Sequence, residues 1–188
     1  MTTRRRLIGP AAILLAVAGC ASSEATAPSA VSTLEQSATG TVHPQGDSPP
    51  AAAQTPCGDA VRNQVQDALG LDSVATPGSV WADNRSTCTY QTPLGPLVYS
   101  VMVEADQAAA RDSLETLRTE LNATSPLTGL EDAYQNGLGA VVALQDNLVL
   151  FVDASALPPE HLGPDHQSQT GLAIILATHV VDGWTGQG

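Results

Sequence analysis

The stretch AVVALQDNLVLFVD, residues 140–153, decides the fold. Two apolar runs, Ala140–Gln145 and Leu148–Asp153, are separated only by Asp146-Asn147. Asp and Asn tolerate the positive φ that a tight hairpin turn requires. Both runs are apolar at successive positions, which is typical of strands that are covered on both faces. The stretch therefore predicts a buried β-hairpin at the centre of a sheet.

Other strand patterns surround this hairpin. The segments Ser86–Gln91 and Leu97–Glu104 are joined by a Pro- and Gly-rich turn, residues 93–96, and a shorter strand is predicted at Asp132–Asn136. In the longest of these strands every second residue is apolar, so one face is buried. Those residues are Leu97, Tyr99, Val101 and Val103. Short turns between neighbouring strands favour an antiparallel sheet.

Three helices are predicted around the sheet. The first runs from Asp59 to about Leu69 and ends at Gly70, and the second is capped by Asp106. The third runs from Asp165 to Val181 after a Pro-rich loop. The order α-β-β-α-β-β-β-α predicts an α+β fold, a mainly antiparallel sheet covered by about three helices, over residues 57–188.

The charge of the chain excludes one large class of partner. Its 188 residues contain 19 acids and 7 arginines but no lysine, and the net charge is -12. Three of the arginines, Arg4 to Arg6, lie at the very start, so removal of the first 19 residues leaves a net charge of -15. Binding to nucleic acid needs clustered Lys or Arg. We therefore expect no nucleic-acid partner.

The amino terminus has the pattern of an export signal. After Arg4, Arg5 and Arg6 comes the mostly apolar segment Leu7–Ala18, followed by small residues. As a helix this segment would be about 18 Å long, too short for a hydrocarbon core of about 30 Å. We predict a signal peptide over residues 1–19.

The end of that segment, Val17-Ala18-Gly19-Cys20, resembles the lipobox of bacterial lipoproteins. The resemblance implies that Cys20 becomes the first mature residue and carries a thioether-linked diacylglycerol. Two acyl chains hold a protein on a membrane, whereas one chain binds only reversibly. The alternative is an ordinary secretory signal in which Cys20 happens to follow small residues.

Residues 20–56 differ from the rest of the chain in composition. They consist mainly of Ala, Ser, Thr, Pro, Gly and Gln and contain no aromatic residue. Such a segment cannot bury enough apolar surface to offset the entropy of ordering. We therefore expect this segment to be a disordered linker that follows the lipidated Cys20.

Two further cysteines, Cys57 and Cys88, can form one disulfide. Outside the cytoplasm their oxidation is the expected fate. A redox-active or metal-bound pair would need a Cys-x-x-Cys spacing or nearby histidines, and the sequence has neither arrangement around them. We predict a structural disulfide.

The arrangement of the whole chain resembles the small secreted lipoproteins of actinobacteria. The resemblance rests on the lipobox, the Ala/Ser/Thr/Pro-rich linker and a domain that opens on Cys57 and continues into Thr87-Cys88-Thr89-Tyr90. Some members are similar to the extracellular sensor domains of mycobacterial receptor kinases. The resemblance implies a location on the outer face of the cell membrane, and it supplies no catalytic residue.

One cluster contains side chains that bind metals. Glu160-His161 and Asp165-His166 lie close together in the sequence, but Leu162-Gly163-Pro164 between them indicates a loop rather than one helix face. A divalent metal site and a solvated loop are the two interpretations. Catalytic motifs such as Gly-x-Ser-x-Gly and His-Glu-x-x-His are absent from the sequence.

Weaker candidates have ordinary structural interpretations. The acidic pairs Glu131-Asp132 and Glu104 with Asp106 can be solvated surface residues or, if burial separates their pKa values, an acid-base pair. His43 can be an incidental polar residue or a ligand, and His179 can be a core or boundary histidine or a base. Two tryptophans could offer stacking surfaces for a glycan or peptide, or pack over the edge of the core. They are Trp81 and Trp184.

The sequence favours a non-catalytic lipoprotein on the extracytoplasmic face of the cell membrane. Its expected partners are membrane lipid, through Cys20, and a cell-envelope protein or small ligand, and no cofactor is expected. The alternative is an extracytoplasmic hydrolase or metal-dependent enzyme that uses the 160–166 loop.

Overall fold

The computed structural model describes residue 42 and residues 46–186. The predicted signal peptide, Cys20 and the first part of the predicted linker lie outside these residues. Within the part of the chain that the structure describes, no helix is long and apolar enough to cross a membrane.

The described residues form helices on either side of one antiparallel sheet. The helices are α1 Ala51–Gln54, α2 Asp59–Leu69, α3 Gln107–Glu120 and α4 Gln169–Thr185, with a 3-10 turn at Thr55–Cys57. The strands are β1 Gly78–Ala82, β2 Arg85–Thr92, β3 Gly95–Val103, β4 Ser125–Pro126, β5 Ala133–Gln135, β6 Ala140–Gln145 and β7 Leu148–Asp153. The sheet order is β1-β2-β3-β7-β6-β5-β4. The α+β prediction is confirmed.

The hairpin that decides the fold is formed by β6 and β7 and lies inside the sheet. Asp146 has a φ of 54°, as its turn requires. β7 pairs with β3 on its other side, so that Leu150 lies between Val101 and Ala143. Every neighbouring pair of strands is antiparallel. As in any extended strand, successive side chains point to opposite faces of the sheet.

The larger core lies between one face of the sheet and helices α1, α2 and α4. Every second residue of β3 points into it, as predicted, and all four are at most 1% exposed. Apolar residues of the two long helices complete it: Val61, Val65 and Leu69 of α2, and Leu172, Leu176 and Val180 of α4.

A smaller core lies between the opposite face and α3. Ala110 and Leu114 pack on Val142, Leu144 and Val149. The predicted cap is present, because an Asp106 carboxylate oxygen accepts a hydrogen bond from the Ala109 amide at 2.9 Å.

A disulfide joins Cys57 to Cys88, as predicted, with their Cα atoms 5.5 Å apart. It links the 3-10 turn before α2 to strand β2. The closed loop spans 31 residues, which restricts the unfolded chain considerably.

The folded domain begins earlier than the expected boundary at Cys57. The composition predicts a disordered linker up to residue 56, but α1 packs on the sheet with Ala53 fully buried. Two long-range hydrogen bonds explain this order. The Tyr90 hydroxyl donates to the Pro56 carbonyl at 2.7 Å, and the Trp184 indole donates to the Ala52 carbonyl at 2.9 Å. The small alanine side chains of α1 let its backbone lie close to the sheet. The composition of the segment alone does not reveal this packing.

Helix α4 begins later than predicted. Residues 162 and 167 pair as an isolated bridge, which occupies the segment expected to start the helix. Ser168 caps the helix, since its hydroxyl accepts from the Gly171 amide at 3.0 Å. The short strands β1 and β4 were not predicted.

Candidate interaction surface

The loop predicted to hold a metal does not gather its side chains. Glu160, His161, Asp165 and His166 are all exposed. The His161 Nδ1 lies 4.0 Å from a Glu160 carboxylate oxygen, and the two imidazole rings are 5.8 Å apart between centroids. Among the described residues, no group of three or more His, Cys, Asp or Glu side chains could hold a metal ion. The metal interpretation therefore receives no support from this arrangement.

The backbone of this loop has a structural reason for its shape. Leu162 is 1% exposed and belongs to the larger core. Gly163 has a φ of 66°, and a Cβ there would collide with the carbonyl of Ala68 in α2. Leu162 and Gly163 thus fix the loop on α2, which leaves the two histidines on the outside.

The predicted acidic pairs have structural contacts. Glu104 accepts a hydrogen bond from the Ser113 hydroxyl at 2.6 Å, and Asp106 caps α3. Glu131 and Asp132 are exposed, with Asp132 3.9 Å from the Arg111 guanidinium. These carboxylates stabilise α3 and its surroundings and do not converge on one another.

Both tryptophans pack against the edge of the larger core. Trp184 is held there by its hydrogen bond to Ala52. Trp81, in β1, donates its indole hydrogen to the Gly46 carbonyl at 3.4 Å. Each indole is half-buried and fixed by this contact, so neither ring is wholly free for stacking.

The surface that stands out is the part of the sheet that α3 does not cover. Helix α3 packs on β6 and β7. Along one row of the sheet, Phe151 lies against the smaller core, Thr87 is half-buried and Val80 is 65% exposed. We call this region the open face, and it consists of Val80, Ala82, Arg85, Thr87, Thr89 and Val98.

The open face is apolar or hydroxylic, with one cationic group. The Arg85 guanidinium lies 2.9 Å from the sulfur of Met102, so the Arg85 side chain extends across the sheet toward β3. A shallow depression of about 360 Å³ lies here, lined by Val80, Ala82, Asp83, Arg85 and Thr87. Exposed apolar side chains of this kind mark interaction sites when they form a continuous patch.

Strand β1 forms the edge of the sheet beside the open face. Ala82 and Arg85 flank a two-residue turn, so they form a hydrogen-bonded pair, and such pairs alternate along an antiparallel ladder. The N–H and C=O groups of Ser79 and Trp81 therefore point away from β2. Among the described residues, these N–H and C=O groups of Ser79 and Trp81 form no backbone hydrogen bond with a loop or a turn.

Proteins usually protect such an edge with charges, proline or very short strands. The opposite edge of this sheet follows that rule, since β4 has two residues and one of them is Pro126. Strand β1 has the sequence GSVWA, without charge or proline. It is therefore competent to pair with another strand.

A small notch lies at the Ala82 end of β1. It has a volume of about 360 Å³ and is lined by Gly46, Asp47, Trp81, Ala82, Asp83 and Asn84. Asp47 and Asp83 are exposed carboxylates, and the indole of Trp81 forms part of the wall. The notch thus combines negative charge with an aromatic surface.

The sequence contained one signal for β1. Asp83-Asn84 repeats the dipeptide of the 146–147 turn, and both residues have positive φ, 52° and 55°. A hairpin turn at this dipeptide predicts a strand before it as well as after it. However, α3 covers only part of this face of the sheet, and no local sequence pattern encodes the position at which α3 packs.

No protein-family model, no curated protein and no solved structure matches the chain. The functional proposal therefore rests on the residues and geometry of this chain.

Proposed function

We propose that the protein is a lipid-anchored, extracytoplasmic and non-catalytic module that binds a cell-envelope partner through the open face. The observation that carries this proposal is the uncovered part of the sheet, where Val80 is 65% exposed beside an unprotected edge strand. A large exposed aliphatic side chain on a regular sheet suits contact with another macromolecule better than chemistry.

The anchor is supported by the sequence Val17-Ala18-Gly19-Cys20 behind an apolar segment and three arginines. Its two acyl chains would provide the attachment that charge cannot. Residues 42–186 contain 17 acids and 4 arginines, so anionic lipid headgroups repel the domain.

The tether that the proposal requires is shorter than the predicted linker, residues 20–56. Val42 packs against the larger core and forms two hydrogen bonds with the side chain of Asn147. Only residues 21–41 then remain between Cys20 and the domain. A flexible coil of that length spans about 25 Å on average and about 70 Å when fully extended. The domain would thus work close to the membrane surface.

Metabolic labelling with an alkyne fatty acid tests the anchor. We expect the wild-type chain and Gly19→Ala, which keeps a small residue in the motif, to take up the label, and Cys20→Ser to take up none. An unlabelled wild-type chain, or a labelled Cys20→Ser chain, would remove the anchor from the proposal.

Site-specific photocrosslinking in the producing cell tests the open face. A photoreactive residue replaces Val80 in one full-length chain and the exposed Asp112 of α3 in a control chain. We expect a discrete adduct from position 80 and none from position 112. Adducts of the same size from both positions, or none from position 80, would argue against a binding role for the open face.

A further inference from the structure

We infer that β1 receives an extended segment of a partner protein as an additional strand, and that this segment places a basic side chain in the notch beside Trp81. The inference rests on the proposed function, because it names the class of partner that the open face binds. Strand addition uses main-chain hydrogen bonds for affinity and side-chain pockets for specificity.

The main-chain part of the site is the outer side of β1. Ser79 and Trp81 direct their N–H and C=O groups away from β2, and all of Gly78–Val80 is exposed. A segment that pairs there extends the sheet by one strand at a spacing of about 4.8 Å. Its alternate side chains would then lie beside Val80 on the open face, where β-branched residues pack well.

The side-chain part of the site is the notch. Asp47 and Asp83 supply two exposed carboxylates, and the hydrogen bond from Trp81 to Gly46 holds the indole beside them. An Arg or Lys side chain is attracted both by carboxylates and by an indole face. The notch lies at the Ala82 end of β1, so the basic residue belongs near that end of the incoming strand.

Charge decides between the three possible occupants of this edge. A second copy of the chain would bring another 17 acids against 4 arginines, and the two copies would repel each other. The segment of residues 21–41 has Glu24 and Glu35 and no Lys or Arg, so it offers the notch no cation. A cationic partner is attracted by the whole domain and by the notch, which is why we favour it.

The test uses the full-length, ¹⁵N-labelled chain in detergent and a capped synthetic hexapeptide, TVTVTR. We expect the amide resonances of Ser79 and Trp81 to shift in a saturable way as the peptide is added. A matched peptide that ends in Glu should bind at least about tenfold more weakly, and this difference should shrink in high salt.

Two variants locate the binding to the edge. Ser79→Pro removes an outward N–H and leaves the pairs with β2 intact, so it should weaken binding at least about tenfold, whereas Ser79→Ala should bind like the wild type. Asp83→Asn keeps a residue that tolerates positive φ and should weaken binding of TVTVTR but not of the Glu peptide. Unchanged thermal unfolding of each variant shows that it is folded.

Several results would overturn the inference. One is the absence of any shift at Ser79 and Trp81 at millimolar peptide, and another is equal binding by Ser79→Pro and Ser79→Ala. Hydrogen-exchange protection of these amides without peptide would assign the edge to residues 21–41 if it is independent of protein concentration, or to a second copy if it grows with concentration. The fatty-acid labelling of Cys20 is unaffected by all these outcomes, so the anchor and the strand-addition site succeed or fail separately.

Discussion

Asn147 holds the backbone of Val42 across 105 positions of the sequence. Its side-chain oxygen accepts from the Val42 amide at 2.8 Å, and its side-chain nitrogen donates to the Val42 carbonyl at 2.6 Å. The same nitrogen donates to the Glu104 carbonyl at 2.5 Å. Asn147 is 1% exposed, so these bonds satisfy a polar group that water does not reach. The point where the chain joins the domain is therefore fixed by a residue of the central hairpin.

Replacing Asn147 should release this junction. Asn147→Asp keeps the acceptor but loses both donated bonds and places a carboxylate beside two carbonyls, so we expect a loss of about 2–3 kcal/mol in the free energy of unfolding. Hydrogen exchange at the Val42 amide should become faster. The control is Asp146→Asn, because Asp146 is the neighbouring residue and makes none of these hydrogen bonds. It should change neither the free energy of unfolding nor the exchange of the Val42 amide by much. Equal effects of the two variants would contradict the role of Asn147.

Tyr90 and Tyr99 form a matched pair for testing buried hydroxyls. Their rings meet edge to face, with centroids 5.7 Å apart, and both are fully buried. The Tyr90 hydroxyl donates to Pro56, whereas the Tyr99 hydroxyl has no hydrogen-bond partner among the described residues. Denaturant unfolding should show Tyr90→Phe to be less stable by about 1–2 kcal/mol and Tyr99→Phe to be neutral or slightly more stable. The opposite ranking would contradict these hydrogen-bond assignments.

The same two tyrosines predict a loss of stability in alkali. Burial raises the pKa of Tyr90 from 10.0 to about 12 and raises the pKa of Tyr99 well above its usual value. A folded-state pKa above that of the unfolded chain favours the protonated native state. Its contribution to stability is complete below about pH 10 and is lost as the pH rises toward about 12 for Tyr90.

Denaturant melts between about pH 8 and pH 11 measure this effect. Up to about pH 9 the two tyrosines should not change the free energy of unfolding with pH. Above that pH the free energy of unfolding should fall by as much as about 1.4 kcal/mol per pH unit for each tyrosine. Short incubations keep the disulfide intact. The slope should be smaller in Tyr90→Phe, and an unchanged slope in that variant would exclude Tyr90 as a source of the effect.

Removing the disulfide should destabilise the domain strongly. The double variant Cys57→Ala, Cys88→Ala frees a 31-residue loop in the unfolded chain, and we expect a loss of about 3–4 kcal/mol. Cys88 is 1% exposed, so alanine also leaves a small cavity there. Chemical denaturation of the double variant, compared with the oxidised and reduced wild type, measures the loss. A change below about 1 kcal/mol would show that the bond constrains the chain little.

The sequence predicts those parts of the fold that local patterns encode. The β6–β7 hairpin follows from two apolar runs around a turn dipeptide, and the Asp106 cap follows from its position before an amphipathic helix. Gly70 ends α2 in the left-handed conformation, with a φ of 64°, as predicted. In each case the deciding interaction lies within a few residues of the pattern.

The rest depends on contacts that are distant in sequence. Residues 51–56 have the composition of a linker, and they are ordered because Tyr90 and Trp184 donate hydrogen bonds to the carbonyls of Pro56 and Ala52. Strand β1 is five residues long with no alternation of polar and apolar residues, so it gave little signal. The open face exists because α3 packs mainly on β6 and β7. Such features follow from packing, and a single sequence does not specify packing.

The mass of the mature amino-terminal peptide tests the central claim most directly. We predict that the peptide isolated from the envelope begins at Cys20 and carries the mass of a diacylglyceryl group, with residues 1–19 removed. A peptide that begins at an unmodified Cys20, or one that retains residues of the segment 1–19, would contradict the account of a lipid-anchored module.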